Sequence, residues 1–66
     1  MLSCLAYERR GKKDRVLVII NRNEHEIDYY LPYEWHNAQC IFGGEMQGDK
    51  AHLGALSGII LRMQNA

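Results

Sequence analysis

Tyr29, Tyr30, Tyr33 and Trp35 fall within seven positions around Pro32, and flat aromatic faces of this kind are what a sugar ring stacks against. They are the candidate carbohydrate contacts of the chain. Packing accounts for the same residues in another way. One of Tyr29 and Tyr30 faces the core while its neighbour faces solvent, and Trp35 anchors an irregular loop or meets a partner surface. Glu24, Glu26 and Asp28 are the densest carboxylates. On a strand they share one face at period two and form a solvated edge, whereas an acid/base pair needs convergence across a cleft. His25, His36 and His52 lack the i, i+4 spacing of a helical metal pair. Ser57 precedes Gly58 without the GxSxG elbow of a hydrolase nucleophile. Cys4 and Cys40 have no CxxC pattern; one disulfide is formally open to them, and two reduced, mostly packed thiols in a reducing compartment are the better reading. No catalytic residue, metal or cofactor is expected.

Sixty-six residues, 8 basic against 8 acidic, bound what such groups can do. A chain of this length buries only about 60% of the surface its unfolded form exposes, enough for one compact unit but not for an elaborate internal active site. The charge balance argues against nucleic acid as a partner, because modules that bind it gather a basic excess on one face. The local cluster Arg9, Arg10, Lys12, Lys13 and Arg15 is interrupted by Glu8, Gly11 and Asp14 and reads as a solvated hairpin turn. The first residues lack the basic region and apolar run of a secretory leader. No stretch approaches the roughly 18 apolar residues of a membrane helix. A soluble, cytoplasmic product without a membrane partner is expected.

The elements that must position these residues are strands. Arg15–Asn21 is rich in β-branched residues, and its five consecutive apolar positions imply a central strand covered on both faces. Ser3–Arg9 precedes it across a turn at residues 10–14, where Gly11 is expected to supply a positive φ. After a polar turn at 21–25, residues 26–31 form a third strand that stops at Pro32. An irregular stretch follows to Asn37, then a strand at 38–42 ending at Gly43-Gly44, a break at Gly48-Asp49, and a strand at 50–53. Residues 54–57 form a crossing loop before a last strand at 58–63, and residues 64–66 fray. Short strands between turn signals, without a helical stripe, give an all-β fold over residues 1–66: a small antiparallel β-sandwich built from hairpins, or a barrel-like meander. Tyr7, Val16, Val18, Ile20, Ile27, Phe42, Ile59 and Leu61 are expected to form most of the core or a partner-facing surface, so Val18→Asp should unfold the domain.

The order of these pieces resembles the C-terminal β-sandwich domain of α-amylase-family glycoside hydrolases. The similarity rests on Tyr7 with the Arg-rich turn after it, on the VLVIIN strand of Val16–Asn21, and on Leu31-Pro32. It continues through Gly44-Glu45 to the closing Leu53-Gly-Ala-Leu-Ser-Gly-Ile-Ile-Leu61, where Gly54-Ala55 stands in place of the family's Pro-bearing pair. It covers nearly the whole chain, and the Asn21-Arg22-Asn23 turn is similar to the neopullulanase, cyclomaltodextrinase and maltogenic amylase group. The resemblance implies that catalysis, the retaining hydrolysis of α-glucosidic bonds, belongs to a (β/α)8 barrel. Such a barrel needs about 250 residues and cannot fit in this chain.

On that basis the 66 residues are expected to be a non-catalytic accessory domain that packs on and stabilises the barrel of a larger chain. An isolated domain of this kind should expose an apolar patch and tend to self-associate. The alternatives are a carbohydrate-binding module that holds α-glucan through the aromatic loop, and a stand-alone small β binding protein.

Overall fold

The computed structural model describes residues 4–64. The expected strand start at Ser3 and the fraying of Asn65 and Ala66 lie outside them. Seven strands and one 3-10 turn follow in order: β1 (Cys4–Arg10), β2 (Asp14–Asn21), β3 (Ile27–Tyr30), the turn Tyr33–Trp35, β4 (Gln39–Gly43), β5 (Glu45–Gln47), β6 (Lys50–Leu53) and β7 (Gly58–Gln64). They form two antiparallel sheets, β1-β2-β7-β4 and β3-β6-β5. The fold is all-β and a two-sheet sandwich.

Two hairpins, β1-β2 and β5-β6, are joined by connections that pass from sheet to sheet. β3 does not continue a meander beside β2; it pairs with β6 in the other sheet. β5, a three-residue strand absent from the sequence reading, pairs with β6 across Gly48-Asp49. Gln64 is not frayed but pairs with Asp14. Among the glycines, positive φ occurs at Gly43, Gly44 and Gly48, not at Gly11, whose N–H instead donates to the Asp14 carbonyl at 2.8 Å. Gly43 is where the chain leaves one sheet for the other. At φ 71° it lies so close to Gly58 that a Cβ there would collide with the Gly58 carbonyl oxygen.

The core lies between the sheets. Leu17 and Ile19 of β2 and Ile59 and Leu61 of β7 face Ala51 and Leu53 of β6, and Leu31 and Trp35 fill the remaining space. This places only Ile59 and Leu61 of the eight expected core residues among the buried ones. The phase of β2 is the reason. Leu17 and Ile19 point inward, so alternation turns Val16, Val18 and Ile20 to the opposite face, where each is half-buried. Ile27 packs against the core from its edge, while Tyr7 and Phe42 are 47% and 66% exposed. Val18→Asp therefore does not bury a charge between the sheets.

Asn21, fully buried at the end of β2, continues the inward series and ties the crossings together. Its Nδ2 donates to the carbonyls of His25 and Gly54, at 3.0 and 2.9 Å, and its Oδ1 accepts from the Asn23 N–H at 2.8 Å. The Asn21 N–H donates to Ser57 O at 2.7 Å.

The opposite end of the sandwich is sealed by Arg15. Its Nε and Nη2 donate to the two carboxylate oxygens of Glu8, at 2.7 and 3.0 Å, and Nη1 donates to Glu34 at 3.0 Å. The guanidinium carbon sits 5.2 Å from the centre of the Trp35 ring, a cation–π distance. Arg15 is thus not part of a solvated turn: its side chain is only 12% exposed. The hydrogen bonds from Arg15 hold the Glu8 carboxyl below its usual range, and those to Glu8 and Glu34 hold the guanidinium all the more firmly protonated.

Candidate functional site

The two sheets differ in what they present outward. On the four-stranded sheet, the register aligns Tyr7, Val18, Ile60 and Phe42 in one row across β1, β2, β7 and β4. Beside it run Leu5, Ile20 and Gly58, and on the other side Arg9, Val16, Arg62 and Gln39. A bulge between Cys40 and Phe42 brings Phe42 opposite Ile60; its extra residue, Ile41, is 48% exposed.

Strands about 4.8 Å apart, with same-face residues about 6.8 Å apart, give this apolar surface an area of roughly 300 Å². The sheet needs no outward apolar residue to hold its own core, since the inner face already supplies Leu17, Ile19, Ile59 and Leu61. Basic groups rim one end. Arg62 pairs with Asp14 at 2.9 Å, whereas Arg9, Lys12 and Lys13 have no ion-pair partner among the described residues.

The outer face of the three-stranded sheet is charged. Asp28 and Tyr30 of β3, Lys50 and His52 of β6, and Glu45 and Gln47 of β5 share it by register. His52 Nδ1 lies 2.7 Å from Asp28 Oδ1 and Nε2 lies 2.8 Å from Glu26 Oε1, while Lys50 Nζ donates to Asp28 at 3.3 Å. The hydrogen bond to Asp28, then that to Glu26, raises the His52 pKa above its ordinary 6.5, and His52 is the main cause of a lowered Asp28 pKa. Of the acidic run only Asp28 lies on the strand; Glu26 precedes it and joins Asp28 on one imidazole, and Glu24 lies in the bend before both. The signal of this grouping in the sequence is weak, because His52 lies 26 residues from Glu26 and 24 from Asp28.

The four aromatic candidates are not brought together on one surface. Trp35 is 1% exposed and offers no ring face to a ligand. Pro32 starts the 3-10 turn, the Trp35 N–H donates to Pro32 O at 2.9 Å, and the ring is driven into the core beneath Arg15. Its place among the carbohydrate contacts is corrected accordingly. Tyr29 is half-buried against the core, opposite Ala51. Tyr30 and Tyr33 are 68% and 87% exposed, and Tyr33 makes an edge contact with His36 at 5.2 Å between ring centres. The split between Tyr29 and its neighbour is the one alternation predicts.

Among the described residues there is no cavity or cleft, no trio of His, Cys, Asp or Glu arranged around a metal ion, and no helix long and apolar enough to cross a membrane. Fold and surface together define a small two-sheet β domain with one apolar outer face and one charged one. Comparisons with known protein families, with curated proteins and with solved structures find no match.

Proposed function

We propose that this chain is a non-catalytic accessory domain whose four-stranded sheet docks, through the row Tyr7, Val18, Ile60 and Phe42, on the (β/α)8 barrel of an α-amylase-family glycoside hydrolase. The observation that carries the reading is the apolar outer face. An antiparallel sheet with a solvated outer face alternates apolar and polar residues, and β2 does not.

The size of the face favours a barrel carried by the same polypeptide. Roughly 300 Å² is well below the ~800 Å² that each partner of a stable, freely diffusing complex contributes. A tether that raises the effective concentration to the millimolar range makes a small patch sufficient. The unpaired Arg9, Lys12 and Lys13 at one margin fit a barrel surface that is apolar at its centre and acidic beside the β1-β2 turn. The sequence resemblance supplies the identity of the barrel and its α-glucan substrate. The unpaired thiols of Cys4 and Cys40 suit a cytoplasmic enzyme.

The test begins with the size of the native product, probed in its source cells with an antibody against these residues. A band at least ~30 kDa heavier than the 7.7 kDa chain is expected, as a (β/α)8 barrel requires. Val18→Asp in that polypeptide should then lower its melting temperature while leaving the isolated 66 residues folded by circular dichroism. A native band at the mass of the chain itself would overturn the reading.

The exposure of Tyr30 and Tyr33 supports a second role, contact with α-glucan beside the barrel's cleft. Saturable NMR shifts at these two residues with maltooligosaccharide would establish it. Unchanged signals at millimolar sugar would leave only the docking role.

A further inference from the structure

The His52 site makes a demand on protons that a neutral imidazole cannot meet. A neutral ring has one N–H and one lone pair, so between two carboxylates the lone pair would face an anionic oxygen at hydrogen-bonding distance. Contacts of 2.7 Å to Asp28 and 2.8 Å to Glu26 are both attractive only when each nitrogen carries a hydrogen and donates it. The surroundings favour the cation. Glu45 of β5 lies opposite His52 in register, with Gln47 Nε2 donating to it at 3.3 Å. The nearby cation from the same strand, Lys50, is itself directed to Asp28. Two carboxylates thus reach the ring, from β3 and from the stretch before it, with Glu45 opposite on the same face, against one ammonium.

The two carboxylates are held unequally. Asp28 lies directly across the ladder from His52 and is shared with Lys50. Glu26 precedes the first paired residue of β3, is 69% exposed, and has no other side-chain partner among the described residues. β3 has only four residues and is an edge strand of its sheet, so a bond just ahead of its first ladder pair restrains the end most prone to fray.

We propose that His52 is a proton-operated clasp for the edge strand β3: as imidazolium it ties both Asp28 and Glu26 to β6, and on losing its proton it keeps Asp28, releases Glu26 and loosens the start of β3. The device responds to pH above the ordinary imidazole value of 6.5 and is independent of what the four-stranded sheet docks on.

Imidazole 15N NMR on the 66-residue chain from pH 5 to 9, together with amide hydrogen exchange, tests this. At pH 7 both His52 nitrogens should show imidazolium shifts, and the titration midpoint should lie above 6.5. Glu26→Gln, at an exposed position, should lower that midpoint. Protection of the Ile27–Tyr30 amides, corrected for the intrinsic effect of pH on exchange, should fall several-fold across the midpoint in the parent chain and stay flat in His52→Gln. A neutral ring at pH 7, a midpoint at or below 6.5, or a midpoint unmoved by Glu26→Gln would overturn the proposal. So would β3 protection that does not change as His52 titrates.

Discussion

The outer faces of the two sheets are built on the same pleat and end in opposite chemistries. Across the three-stranded sheet, Asp28, His52, Lys50 and Glu45 meet solvent with charges that are largely paired with one another. Across the four-stranded sheet, Tyr7, Val18, Ile60 and Phe42 present an unbroken apolar row. An antiparallel sheet over one core needs the first arrangement and gains nothing in stability from the second. The difference is what the docking proposal rests on: the charged face is what the fold requires in water, and the apolar face is the departure from it.

The strongest way to break this comparison uses two adjacent residues of β2. Ile19→Asp places a charge at a fully buried position and should cost more than about 4 kcal/mol, against a total of ~3–10 kcal/mol for a domain of this size. It is expected to be unfolded by circular dichroism. Val18→Asp, one residue along and on the outer face, should cost only about 1 kcal/mol, the range of strand preferences at a half-exposed site. Equal destabilisation by the two would erase the distinction between inner and outer faces.

Next in size is Asn21→Ala. It leaves the carbonyls of His25 and Gly54 and the Asn23 N–H without their side-chain partner, and should lower the urea-derived stability by about 2–3 kcal/mol. Because these bonds join the connections between the sheets and touch neither outer face, the variant separates loss of the sandwich from loss of the apolar outer face. If Asn21→Ala is neutral by urea melt, Asn21 is not the tie between the crossings.

The strands themselves were legible in the sequence because β-branched runs and turn residues mark them locally. The inner face of β2 was not. Five apolar residues in a row satisfy a period of two in either phase, and the residues that fix the phase, Arg15 and Asn21, are polar groups turned inward for reasons that lie elsewhere: Glu8, Glu34 and Trp35 for one, the crossing loops for the other. β5 has one half-buried residue, Met46, in three, too little pattern to see before β6 is in place beside it. The aromatic loop was legible as a cluster but not as a surface. Nothing in a list of Tyr and Trp residues says that Pro32 begins a 3-10 turn that sends Trp35 inward and leaves Tyr33 in water.

A smaller effect on stability, but a direct reading of the apolar face, is expected from Tyr7→Ser combined with Phe42→Ser. Both side chains are substantially exposed, so each substitution should cost under about 1 kcal/mol, while self-association of the isolated domain at high concentration should disappear in sedimentation velocity. The matching change on the other face, Tyr30→Ser, should leave self-association as it was. Association that persists without Tyr7 and Phe42 would move the sticky surface elsewhere.

The smallest effect concerns pH and belongs to the charged groups alone. His52 has a pKa raised above 6.5 in the folded chain, so its contribution is complete below 6.5 and is lost as pH rises through the raised value. Glu8 and Asp28 have pKa values lowered from 4.5 and 3.8. Their contributions are complete above those ordinary values and are lost as pH falls through the lowered ones. Stability should therefore be greatest between about pH 5 and 6.5, with an acid limb set by Glu8 and Asp28 and an alkaline limb set by His52. His52→Gln should flatten the alkaline limb. It should leave the part of the acid limb due to Glu8 in place, since Arg15 holds that carboxylate at the other end of the sandwich. Val18 lies on the outer face of the other sheet from His52, so Val18→Asp should lower the stability without moving the alkaline limb. Urea midpoints at half-unit steps from pH 4 to 9 distinguish these cases, and an alkaline limb that survives His52→Gln would show that the two faces are not separable by pH.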